Sequence, residues 1–259
     1  MNYIIEYAVY CHKGHVRDKN QDNFWCVGTF LEATNEGILS PIIGKVKLKD
    51  RPTFAVFDGM GGEQQGEQAA YIAAKTFDNF QKHNPSMGNL LIQSCDVMNK
   101  AICDFTYTQP FGSTGTTAAI LAFDKCGVSA CNIGDSRIYR LSNGILSQIS
   151  CDHIDSSIKG RKPPLAQNLG IPVTDFQIEP HIASCCYYAG DKYIICSDGL
   201  TDMLSDNEIG NILASYRNVA HCGQLLMQSA LNAGGHDNIT IILCEVKKQN
   251  SILNLFKVG

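Results

Sequence analysis

The order of elements in this chain predicts an α+β fold. Short runs rich in β-branched and aromatic residues gather in groups, and a pair of helical patterns follows each group. Strands and helices do not alternate one for one, which argues against a parallel βαβ sheet. Antiparallel strands covered by helices suit the order better.

Residues 3–10 alternate polar and apolar, the period of a strand. The runs 53–57, 117–123, 127–133, 137–141, 145–150, 193–197 and 239–246 are strand-like, with Gly, Asn and Asp between them. Asn143-Gly144 is a hairpin signal. Residues 66–82 carry Ala69, Ile72, Ala73, Thr76, Phe77 and Phe80 at helical spacing. Residues 88–106 do the same with Leu91, Cys95, Met98, Ile102 and Phe105. A second helix pair covers 206–216, where Ser205 and Glu208 are spaced as a capping box, and 221–233, ended by Gly234-Gly235. No linker, repeat or low-complexity tract divides the chain, so 1–259 reads as a single domain.

The 259 residues are ample for a sizeable core, and 44% apolar with 18% charged residues is ordinary for a soluble protein. A net charge of −4 gives no footprint for nucleic acid. The 12 Cys contain no C-x-x-C pair, and most lie in apolar runs, where a free thiol packs as a small hydrophobe. No apolar run approaches the roughly 20 residues that span a bilayer, and MNYIIEYAVY lacks a basic leader. The expectation is a reduced, cytoplasmic protein without a membrane partner.

Four acidic segments carry the chemistry: RDKNQD at 17–22, FAVFDGMGG at 54–62, IICSDGLTD at 194–202 and GGHDNIT at 234–240. Asp58, Asp198 and Asp237 each sit beside a strand-like run. Carboxylates at strand ends beside Gly-rich turns can converge on one hard divalent cation or on two. Any one Asp-Gly taken alone is also an ordinary tight turn. A nucleotide-binding loop is excluded, since neither G-x-G-x-x-G nor G-x-x-x-x-G-K occurs.

Gly14-x-x-Arg17-x-x-Asn20-Gln21-Asp22, Asp58-Gly59-Met60-Gly61-Gly62, Gly112-Ser113-Thr114, Asn132-Ile133-Gly134-Asp135-Ser136-Arg137, Asp152-His153, Ser197-Asp198-Gly199-Leu200-Thr201-Asp202 and Asp237-Asn238-Ile239-Thr240 occur in this order. The set resembles the metal-dependent protein serine/threonine phosphatases (PPM, protein phosphatase 2C) of bacterial type, from about Gly14 to Val246. The resemblance implies a four-layer αββα sandwich, two antiparallel sheets flanked by helix pairs, with metals in a cleft at one end. It implies Asp58 as the ligand shared by two ions, Mn²⁺ or Mg²⁺, with the Gly59 carbonyl on the first and Asp198 and Asp237 on the second. A hydroxide between the ions would attack the phosphate ester.

By the same resemblance Arg17 clamps the phosphate, its planar fork suiting two oxygens, and Asp22 orients metal-bound water. Asp135 either joins a third, weaker metal site or caps a hairpin turn. Asp152-His153 reads as a loop organiser. Gly61 and Gly62 read as positions without room for a Cβ beside the metals. The implied partners are phosphorylated Ser/Thr proteins, those of a cognate protein kinase, met by a monomer. Two alternatives stay open: a metal-binding module that recognises phosphoproteins without turnover, and a phosphatase of small phosphorylated metabolites.

The chain departs from the family pattern in three places. Met60 and Glu63 stand where relatives carry His, which leaves the proton donor unassigned. Residues 154–164 form a shortened flap beside the cleft. Residues 29–52 make a long connection between strands, expected as a lobe or hairpin of its own.

Overall fold

The computed structural model describes residues 3–61, 65–84, 90–110, 113–157 and 163–249. Gly62, Glu63, Gly112, residues 88–89 of the second expected helix and residues 158–162 of the expected flap lie outside them. The chain opens with β1 (Tyr3–His12), β2 (Asp22–Cys26), β3 (Ile42–Lys47) and β4 (Thr53–Met60), then α1 (Gly66–His83) and α2 (Leu91–Tyr107). Next come β5 (Gly115–Thr116), β6 (Ala118–Phe123), β7 (Val128–Ile133), β8 (Arg137–Ser142), β9 (Ile145–Gln148), β10 (His181–Cys185) and β11 (Lys192–Cys196). The one-turn α3 (Asp198–Thr201), α4 (Asp206–Ser215), α5 (Val219–Asn232) and β12 (Ile239–Lys248) follow. One sheet has the order β3-β1-β12-β11-β8-β9 and the other β10-β7-β6-β4-β2, with β5 paired to β4. Every pairing of named strands is antiparallel.

Side-chain alternation distributes each central strand between two cores. In β4, Phe54 and Val56 pack into the layer between the sheets, while Ala55 and Phe57 pack under α1 and α2. In β12, Ile242, Cys244 and Val246 enter the middle layer, and Ile239, Ile241 and Leu243 meet α4 and α5. Both faces are buried, so these runs are apolar throughout instead of alternating. Ala69, Ala70, Ala73 and Ala74 on α1 let that helix approach the sheet closely. The outcome is the four-layer αββα sandwich that the resemblance implied.

The expected turn and cap chemistry is present. Asn143 and Gly144 both have positive φ, 50° and 79°, as a type I′ hairpin demands. Ser205 and Glu208 form the full capping box of α4. Four strands were not anticipated, among them the two-residue β5. Asp22-Asn23 gives β2 a polar start, Gly44 interrupts β3, and β10 is a half-exposed edge. Residues 29–52 make no separate lobe: β3 lies along β1 from Ile4↔Lys47 to Val9↔Ile42 and completes the sheet. Among the described residues, no helix is long and apolar enough to cross a membrane.

Antiparallel pairing brings the acidic segments to one edge of the sandwich. β2 begins where β4 ends, with Asp22 in register with Asp58. β11 ends where β12 begins, and Ser197 N donates to the Thr240 carbonyl at 3.1 Å.

Candidate metal centre

A cleft of about 560 Å³ opens at that edge, with Arg17, Asp58, Gly59, Asp135, Asp198 and Asp237 on its walls. Asp22 is not on the walls. It is in register with Asp58 on the neighbouring strand, 1% exposed, and its Oδ2 accepts from Ser197 Oγ at 2.7 Å. Its Oδ1 has no hydrogen-bond partner among the described residues.

The backbone around Asp58 is fixed from both sides. Its N–H donates to Thr117 Oγ1 at 3.1 Å, and its carbonyl accepts from Thr116 Oγ1 at 2.9 Å and Thr117 N at 2.9 Å. Thr117 Oγ1 also meets Ser136 Oγ at 2.7 Å, which ties β4 to the loop carrying Asp135. Gly59 and Gly61 are held to that residue type by different causes, and Gly62 lies outside the described residues. A Cβ on Gly59 would sit 2.2 Å from the Gly66 carbonyl oxygen and 2.5 Å from that of Gln21, so close backbone approach requires glycine there. Gly61 is required for conformation instead, at φ +138°.

Electrostatics records the convergence. Burial, then the charges of Asp198, Asp22, Asp135 and Asp237, pushes the Asp58 carboxyl well above the ordinary carboxylate range. Burial, reinforced by Asp198 and Asp237 and opposed by hydrogen bonds, pushes Asp22 up to about 7. Carboxylates crowded this way favour protonation unless a cation lies among them. The donors are all oxygen, which suits a hard divalent ion. Among the described residues no three acidic, His or Cys side chains close into a finished cage.

Arg17 Nη2 donates to Asp237 Oδ2 at 2.6 Å, so the expected clamp and an expected metal ligand share one wall. Asp152 accepts from Arg137 Nε and Nη2 at 2.9 and 2.7 Å, and His153 Nδ1 accepts from Gly134 N at 3.1 Å. Both organise the Asp135 loop, as their sequence context suggested.

Several residues of the site carried no assigned role in the sequence. Ser197 bridges Asp22 and Thr240 N, the latter at 2.9 Å. His236, Asp202 and Met203 also reach the cleft wall. Asn238 holds the Arg17 loop: its side chain accepts from Gln21 N at 2.7 Å and donates to the Lys13 and Lys19 carbonyls at 2.8 and 2.9 Å. An amide between a donor and two acceptors has a signal only in three dimensions. Asn238→Ala should cost about 1–2 kcal/mol by leaving part-buried backbone groups unpaired. Asn238→Asp should cost more, because a carboxylate would face two carbonyls. Urea unfolding at neutral pH checks the order, and a wild-type midpoint for either variant would contradict it.

Comparison with known proteins agrees with this geometry. The family profile described as Protein phosphatase 2C matches residues 43–233. "Serine/threonine phosphatase stp" of Listeria welshimeri is 27% identical over 254 residues, covering 90% of this chain and 92% of that protein. "Serine/threonine protein phosphatase PstP" of Mycobacterium tuberculosis is 28% identical over 257 residues, 94% of this chain and 45% of that protein. The solved catalytic domain of PstP in complex with two manganese ions superposes with a TM-score of 0.74 at 27% identity, covering 95% of this chain and 100% of that one. With sandwich, cleft and matched span in agreement, the chain belongs to the protein phosphatase 2C family, the metal-dependent protein serine/threonine phosphatases.

Proposed function

We propose that the chain hydrolyses phosphate monoesters on Ser and Thr of phosphorylated proteins, with Asp58, the Gly59 carbonyl, Asp198 and Asp237 holding two divalent ions, Mn²⁺ or Mg²⁺. The observation that carries this reading is the crowding of carboxylates around Asp58 in a cleft that Arg17 shares. The two manganese ions of the PstP complex support the count. When bound, such a pair makes water a nucleophile near neutral pH and offsets charge on the phosphoryl oxygens.

The chain's own groups supply the rest. Asp58 would be the ligand that both ions share, and Asp22, anchored by Ser197, would orient metal-bound water. A guanidinium has five N–H donors, so the bond from Arg17 to Asp237 leaves others for phosphoryl oxygens. Asp135, on the same cleft wall, is assigned to a third, weaker ion. Met60 has no proton to give, so the leaving alkoxide must take its proton from elsewhere. The substrates are products of a protein kinase, and the enzyme acts as a monomer.

The test is hydrolysis of p-nitrophenyl phosphate and of a phosphothreonine peptide with Mn²⁺, with Mg²⁺ and with EDTA. Turnover of both substrates with an added ion, and background rates in EDTA restored by excess metal, are expected. Undiminished turnover in EDTA would contradict the reading.

A further inference from the structure

A second groove of about 420 Å³ adjoins the cleft, and Met60 and Gly61 line both. Its floor is β5, where Gly115 pairs with Met60 and Thr114 Oγ1 donates to the Met60 carbonyl at 3.2 Å. Its far wall is the irregular segment 168–175. That wall is held firmly despite having no regular structure. Thr116 and Leu169 exchange backbone hydrogen bonds at 3.0 and 2.9 Å. Buried Asn99 on α2 accepts from Gly170 N and Ile171 N at 2.6 and 3.2 Å and donates to the Ile171 carbonyl at 2.9 Å. Asp175 closes a turn onto the Pro172 carbonyl at 2.9 Å.

Among the described residues lining this groove, Asp175 carries the one formal charge. On neighbouring α2, Lys100 is committed to Asp104 at 2.7 Å. The groove is therefore preorganised, largely apolar, and negative at Asp175.

We propose that this groove receives the substrate polypeptide beside its phosphorylated residue, and that Asp175 selects a Lys or Arg there. The proposal rests on the phosphatase reading of the adjoining cleft. A phosphorylated side chain reaching Asp58 trails an extended backbone, and the strand carrying Asp58 passes Met60 on its way to the groove. Extended chain advances about 3.3 Å per residue. A side chain two or three positions from the phosphoresidue therefore lies about 7–10 Å along the chain, in the direction of the adjoining groove. Asp175 is exposed, so the gain is modest, as exposed ion pairs are.

The test uses phosphothreonine peptides with one Lys, Ala or Glu placed in turn at each position from four before to four after the phosphoresidue. Wild-type and Asp175→Lys proteins are compared, with p-nitrophenyl phosphate as the control that does not reach the groove. The expected result is one position, two or three residues away, where Lys exceeds Glu in kcat/KM by about three- to tenfold. Asp175→Lys should reverse that order and leave p-nitrophenyl phosphate hydrolysis unchanged. Equal rates across the series within twofold, or an order unmoved by Asp175→Lys, would overturn the proposal. Failure of the wild type on p-nitrophenyl phosphate with Mn²⁺ would overturn the phosphatase reading itself, and the groove with it.

Discussion

Replacing Asp58 by Asn should lower kcat/KM on any phosphate ester by at least ~10³-fold, about 4 kcal/mol of lost transition-state stabilisation. The amide keeps the shape of the side chain but no longer carries the charge that two cations would share. The same substitution should stabilise the protein in EDTA by about 1–3 kcal/mol, since a buried carboxylate crowded by Asp198, Asp22, Asp135 and Asp237 is costly without a counter-ion. Loss of activity with gain of metal-free stability separates chemistry from folding. Thermal unfolding in EDTA beside the rate assay checks both signs.

The pH dependence follows from Asp22. Its carboxyl is pushed from the usual aspartate value of about 4 up to about 7 in the folded chain, so between these pH values the folded state binds more protons than the unfolded. Stability in EDTA should therefore fall as pH rises above about 4, and the raised Asp58 carboxyl adds to that fall. Saturating Mn²⁺ should flatten that slope, because the cations keep the cluster ionised.

Arg17→Ala carries the second large effect. A charge-assisted contact to a phosphoryl group is worth about 1.5–3 kcal/mol, so kcat/KM should fall roughly ten- to a hundredfold. The side chain is half exposed and pairs with Asp237, so global stability should change little. Arg17→Lys should recover part of the rate, since a point charge replaces attraction but not the fork. An unchanged kcat/KM for Arg17→Ala would show that the guanidinium does no more than neutralise Asp237.

Legibility in the sequence followed the reach of each interaction. The apolar run Phe54–Phe57 ending in Asp58-Gly59 announces a buried strand with a carboxylate at its tip, and the structure places it so. Asn143-Gly144 and the Ser205–Glu208 box are local chemistry and read directly. β2 was hidden because Asp22 and Asn23 look like turn residues. The buried Asp22 is held by Ser197, 175 residues away. β3 exists because β1 needs an edge partner. Asn238, which ties the Arg17 loop from more than 200 residues away, and the groove walled by segment 168–175 have no periodicity to reveal them.

The central claim is that Asp58, Asp198 and Asp237 convert an edge of a β-sandwich into a site for divalent cations. Calorimetric titration of the metal-free chain with Mn²⁺ tests it most directly. The account predicts two ions bound per wild-type chain, with a weaker third event that Asp135→Ala removes. Asp58→Asn should abolish at least one of the two tight events. A wild-type chain that takes up no Mn²⁺, or an Asp58→Asn isotherm indistinguishable from the wild type, would contradict the account.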